Sequence, residues 1–151
     1  MEKLIVKLRA DYPGLTFAPD TVAHWSPQAN QISYTSDSDD ESIWGTLHEL
    51  GHALLSHQSY TTDVSLLEKE VSAWAKAETL ARRYDITIDE AHIQNCLDTY
   101  RNWLHQRSSC PACRAQGAQS ADKRYSCINC KTTWQVSTAR FCRAYRRRVC
   151  I

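Results

Sequence analysis

The chain has 151 residues, 42% hydrophobic and 23% charged, with a formal net charge of +1. This length allows one ordinary domain or a compact domain with a small appendage, and the composition is that of a soluble globular protein. No apolar run approaches the roughly 20 residues that span a bilayer, and charges interleave with the apolar residues of Met1–Lys7, so neither a membrane helix nor a secretory leader is expected.

Residues 2–10 read as a short helix closed by the turn signal Pro13-Gly14. Thr21–Trp25 and Gln31–Thr35 are β candidates, and together they suit a small antiparallel sheet. The acidic stretch 36–42 is either a loop or the first turn of a helix, where carboxylates are favoured. Ile43, Leu47, Leu50 and Leu54 recur at helical spacing, which predicts a helix over 40–57. Ser65 and Glu68 form a capping box that opens a second helix, with Leu66, Leu67, Val71, Trp74, Ala77 and Leu80 on its apolar face. Thr87 and Glu90 form another, opening a helix over 88–106. At Ser108-Ser109 the helical period ends and Cys, Arg, Gly and Tyr take over. The expected organisation is α+β, with one domain over 1–107 and a small module with a basic tail over 108–151.

Charge divides in the same way. Residues 1–100 carry seven Lys/Arg against sixteen Asp/Glu, a net of −9; residues 101–151 carry eleven against one, a net of +10. Such asymmetry suggests two units with different partners. Seven cysteines, four of them in two Cys-x-x-Cys pairs, suit metal ligands in a reducing compartment better than a disulfide framework, which places the chain in the cytoplasm.

His48 and His52 stand four apart on a predicted helix, so both imidazoles reach one cation, and Glu49 beside them is placed to take a proton from a metal-activated water. The plain alternative is a helix with two partly buried histidines and a salt-bridged glutamate. A catalytic zinc needs a third protein ligand. The longer motif that continues with His at 58 is absent, since Gln58 stands there, and His57 is expected at the surface or helix end. On the next helix Glu68 and Glu70 are available. They lie about 200° apart around the axis, and Glu68 is engaged in the capping box, so Glu70 is the expected ligand.

The run Thr46-Leu47-His48-Glu49-Leu50-Gly51-His52-Ala53-Leu54-Leu55, followed after a loop by Glu70-Val71-Ser72-Ala73-Trp74-Ala75-Lys76-Ala77, resembles the ImmA/IrrE family of metallopeptidases. In that family a Glu-x-x-Ala-Asn-x-Phe-Ala-like helix supplies the third zinc ligand. Glu70, Ala73 and Ala77 match it, with Trp74 where Asn is usual and Lys76 where Phe is usual. The resemblance covers residues 15–85. It implies a zincin-like helical core and a zinc-dependent endopeptidase, with zinc on His48, His52 and Glu70 and Glu49 as base. It also implies a protein or peptide substrate, of which helix-turn-helix transcriptional repressors are the type.

Cys110-Pro111-Ala112-Cys113 and Cys127-Ile128-Asn129-Cys130 are spaced to place four thiolates around one structural zinc, with Trp134 covering the site, an arrangement that resembles a zinc ribbon. Two zinc ions are therefore expected, one catalytic and one structural. Arg140, Arg143, Arg146, Arg147 and Arg148, interleaved with Phe141 and Tyr145, suit nucleic-acid phosphates and bases or equally a solvated helix face. Two other readings remain open. A SprT-like protease acting on DNA-bound protein would take a third histidine, with His92 as its source, and a non-enzymatic ribbon adaptor would need only one zinc.

Overall fold

The computed structural model describes residues 1–121, 123–137 and 146–148, the last two by their backbone alone. Among the described residues the fold is α+β, with four helices and two small sheets. The chain forms two compact units, Met1–Ser59 with Glu68–Ile93, and Tyr60–Leu67 with Gln94–Ile151.

The first unit starts with helix α1 (Glu2–Asp11), which buries Leu4, Ile5 and Leu8 on one face and leaves Val6 exposed. Its Arg9 donates to the Phe17 carbonyl oxygen at 2.8 Å, tying the helix to strand β1 (Thr16–Pro19). Strands β2 (His24–Ser26) and β3 (Gln31–Tyr34) complete a sheet of order β1-β3-β2. The expected antiparallel pair is there, with β2 starting at His24 rather than Thr21. The sheet is nevertheless mixed, because β1 adds in parallel to the other side of β3. A four-residue strand with only Phe17 buried, ending in proline, leaves no alternation to read; an edge position is where such a strand is tolerated.

Helix α2 (Asp40–Leu54) begins within the acidic stretch. Asp39 is its cap, accepting from the Ser42 N–H at 2.8 Å, and Asp40 and Glu41 occupy the first turn, so these acids serve helix initiation. The helix stops three residues before the predicted end. Ser56 turns left-handed at φ 53°, and the Ser56 and His57 N–H groups return to the carbonyls of Ala53 and His52, both at 3.0 Å. This is a Schellman termination.

Helix α3 (Asp63–Arg83) starts three residues earlier than the sequence suggests. Its reciprocal cap is made by Thr62 and Ser65: the Ser65 N–H donates to Thr62 Oγ1 at 3.1 Å and the Thr62 N–H to Ser65 Oγ at 3.0 Å. Ser65 is thus the third helical residue rather than the cap, and Glu68 is exposed with no capping role. The buried stripe follows Glu70, Ala73, Trp74, Ala77, Leu80 and Ala81, leaving Val71 45% exposed. Helix α4 (Glu90–Ser108) is likewise capped by Asp89, whose Oδ1 accepts from the Ala91 N–H at 3.0 Å, and not by Thr87.

The second unit carries an antiparallel sheet of β4 (Gly117–Ala121), β5 (Arg124–Cys127), β6 (Thr133–Val136) and β7 (Arg146–Arg148), in that order. Tyr125 and Trp134 stack at 5.6 Å between centroids, and Gly117 lies under the indole, where a Cβ would collide with Trp134 and stand 2.7 Å from the Ser126 carbonyl oxygen. The polar centre is a buried cluster. Asp63 accepts from Arg107 Nε at 2.6 Å and from the Tyr125 hydroxyl at 2.6 Å, while Arg107 also donates to the Ser137 carbonyl. The Trp134 indole N–H caps the Arg107 carbonyl at 2.8 Å. Burial, and then the bond to Asp63, raise the pKa of Tyr125, so it stays protonated as a donor. These bonds explain why residues 60–67 and 94–107 group with the cysteine-bearing segment.

Candidate functional site

His48 and His52 project from one face of α2, a turn apart, with their Nε2 atoms 3.0 Å from each other. Glu70 on α3 brings Oε2 to 3.2 Å from His48 Nε2 and 3.7 Å from His52 Nε2. Zinc bonds of roughly 2.05 Å at tetrahedral angles separate their ligand atoms by roughly 3.3 Å. The three atoms therefore fit one cation, and three protein ligands leave the fourth position open. Burial pushes the Glu70 carboxyl up, but hydrogen bonds from His48 and His52 outweigh it and hold the group well below the usual carboxylate range. Two imidazoles and one carboxylate form a donor set that suits zinc.

The approach of α3 to α2 depends on a glycine within the histidine motif. A Cβ on Gly51 would stand 2.6 Å from the Ala73 carbonyl oxygen, a distance that real side chains do not tolerate, and Ala73 itself is fully buried. Backbone thus meets backbone one turn from Glu70. Alanine in a helix interior normally gains about 0.8–1 kcal/mol over glycine. Here the overlap is with main chain, so the helices must separate, at a cost of about 1–3 kcal/mol. Gly51→Ala is accordingly expected to lower stability and zinc occupancy at the first site together. Denaturation midpoint and zinc per chain measure both, and an unchanged or raised midpoint with full zinc would contradict this packing.

Each functional side chain has its own orienting contact. The His48 ring packs on Trp74 at 4.3 Å between centroids, while its Nδ1 is buried without a hydrogen-bond partner among the described residues. His52 Nδ1 lies 2.9 Å from His57 Nδ1. Glu49 Oε2 accepts from the Trp25 N–H of strand β2 at 2.7 Å. Burial raises the Glu49 pKa, against the opposing effects of His48, His52 and the Trp25 N–H, so the group is a stronger base than an exposed glutamate.

Cys110, Cys113, Cys127 and Cys130 also converge. Cys110 and Cys130 Sγ are 3.6 Å apart, as are Cys113 and Cys127 Sγ, and all four lie within 4.8 Å of one another. A disulfide would need roughly 2.05 Å. A zinc tetrahedron with roughly 2.3 Å bonds has edges of roughly 3.8 Å, which matches. Cys110 and Cys127 are buried and Cys113 and Cys130 exposed. Thr132, with Oγ1 3.2 Å from Cys130 Sγ, lowers that thiol to about 6, so its thiolate, the form that would bind a metal, is accessible near neutrality.

His92 belongs elsewhere: its ring lies at 4.9 Å from Trp44 and 5.6 Å from Trp74, and the third member of the histidine group is Glu70. Tyr84 gives its hydroxyl to Asp11 at 2.7 Å. Arg140, Phe141, Cys142, Arg143, Tyr145 and Cys150 lie outside the described residues, as do the side chains of Arg147 and Arg148. No helix among the described residues is long and apolar enough to cross a membrane. Sequence reading missed Gly51, Trp25 and His57. Only Gly51 carried a signal, as a glycine inside a helical pattern. Comparison with protein-family models, with curated proteins and with solved structures returned no match.

Proposed function

We propose that the chain is a zinc-dependent endopeptidase with a zincin-like core, related to the ImmA/IrrE metallopeptidases it resembles in sequence. The observation that carries this reading is the convergence of His48 Nε2, His52 Nε2 and Glu70 Oε2 beside a half-buried glutamate held by a strand N–H. Zinc held there supplies a Lewis acid for a peptide carbonyl and lowers the pKa of the attacking water. Glu49 takes the proton from that water and delivers it to the leaving amine, and its raised pKa suits both directions of transfer. Trp25 fixes the carboxylate through one oxygen and leaves the other for the water. Cys110, Cys113, Cys127 and Cys130 hold the second, structural zinc of a ribbon-like module, consistent with a reducing, cytoplasmic setting. The substrate class is protein, with helix-turn-helix repressors the first candidates.

The test uses the zinc-loaded protein and a degenerate peptide library, with new termini read by mass spectrometry, followed by purified repressors as substrates. Cleavage that chelator abolishes supports the reading; no new termini at two zinc ions per chain would refute it. Chelation should also separate the two metals. The first site has an open position, so a mild chelator is expected to reduce zinc from two per chain to one and to remove activity with little change in helical circular dichroism. The four-thiolate site should release its metal slowly, and with loss of ribbon structure. Simultaneous loss of both ions would contradict the distinction.

A further inference from the structure

His57 follows the end of α2, and its position is a consequence of how that helix stops. Had the helix continued, His57 would sit five residues from His52, about 140° away around the axis. The left-handed turn at Ser56 folds the chain back instead. In a Schellman termination the second residue beyond the cap packs over the residue three before it. Here those two residues are His57 and His52, whose rings lie 4.9 Å apart.

The contact is polar and directional. His52 faces His48 and Glu70 with Nε2, which leaves Nδ1 on the opposite edge of the ring, 2.9 Å from His57 Nδ1. An imidazole that binds a metal through Nε2 carries its proton on Nδ1, and that N–H needs an acceptor. His57 supplies one when its own proton is on Nε2, and Nε2 points to Ser72 Oγ at 3.5 Å. Its backbone is held as well. The His57 N–H is bound to the His52 carbonyl, and the His57 carbonyl accepts from the Trp25 indole at 2.9 Å. The following loop is fastened by Lys69, which donates to the carbonyls of Gln58 and Ser59 at 3.2 and 2.7 Å. His48 has no comparable acceptor at Nδ1 among the described residues, so the orienting load falls on the His52 side.

We propose that His57 is a positioning residue of the metal centre: through Nδ1 it fixes the tautomer and ring orientation of His52, and so sets the affinity of the His48–His52–Glu70 site for zinc. This rests on the metal-centre reading above and not on peptide-bond cleavage. Through the Trp25 indole the same residue also anchors the strand whose N–H holds Glu49, so one turn beyond the helix supports both the ligand and the base.

The experiment measures affinity, not activity. Zinc is stripped from the first site of the full chain and returned as Zn2+ in competition with a chromophoric chelator of known affinity. His57→Ala and the bulkier His57→Leu are expected to bind about 10- to 100-fold more weakly than the unaltered chain. His57→Asn should stay within about threefold, because the amide oxygen occupies the place of Nδ1. The four-thiolate zinc and the denaturation midpoint act as controls for folding. Unchanged affinity in His57→Ala and His57→Leu would overturn the proposal. So would equal weakening in His57→Asn, which would assign His57 a packing role only. Absence of zinc uptake at the first site of the unaltered chain would overturn the metal-centre reading itself, a result distinct from either.

Discussion

Glu49→Gln is expected to reduce proteolysis by about 10²- to 10⁴-fold while zinc per chain remains at two. The substitution leaves the shape of the site intact. Glutamine keeps an oxygen that accepts from the Trp25 N–H, and the residue is not among the three metal-facing side chains. What is lost is the ability to take and return a proton. Rate and metal content measured on one preparation separate this from a ligand effect, since Glu70→Ala should lose zinc at the first site and activity together. A Glu49→Gln protein that cleaves at the unaltered rate would remove Glu49 as the base. A Glu49→Gln protein that loses zinc would place it in the ligand set.

The other large effect is expected in the second unit, at Asp63. Its carboxylate is 4% exposed and faces Arg107, whose side chain is 3% exposed, at 2.6 Å. Removing one member of such a pair leaves a buried charge without compensation, at a cost of about 3–5 kcal/mol. Asp63→Leu should therefore destabilise the second unit by that amount even in the presence of saturating zinc. Tyr125→Phe, which deletes one hydrogen bond to the same carboxylate, should cost about 1.5–3 kcal/mol. Replacing Asp63 and Arg107 together by leucine and methionine should recover part of the loss, because no buried charge then remains. Denaturation followed by fluorescence of Trp103 and Trp134 provides the measurement. A midpoint for Asp63→Leu that corresponds to less than about 1 kcal/mol of destabilisation would show that the cluster is not what holds this unit together.

The Asp63 cluster also marks how far local patterns reach. Spacing alone was sufficient to bring together the two histidines and the four cysteines of the candidate metal groups, though not Glu70. A four-residue separation on a helix places His48 and His52 side by side whatever the surroundings, and two Cys-x-x-Cys turns preform their thiol pairs in the same way. The helices themselves follow from the period of their apolar residues. Helix ends were less legible. Thr62 and Ser65 compete with Ser65 and Glu68 for the same capping pattern, and only the hydrogen bonds made by the folded chain distinguish them. It is Glu70 and not Glu68 that lies beside the histidines, but the capping box used to choose between them does not form; the buried face of α3 is what turns Glu70 inward.

The amino-acid sequence by itself determined which residues can bind metal, because ligand type and short-range spacing are local properties of the chain. Tertiary structure decided the rest. The parallel addition of β1, the backbone contact of Gly51 with Ala73, and the pairing of Asp63 with Arg107 join residues that no period links. The placement of His57 over His52 turned on one left-handed residue, Ser56, a conformation that only the packing around the end of α2 selects.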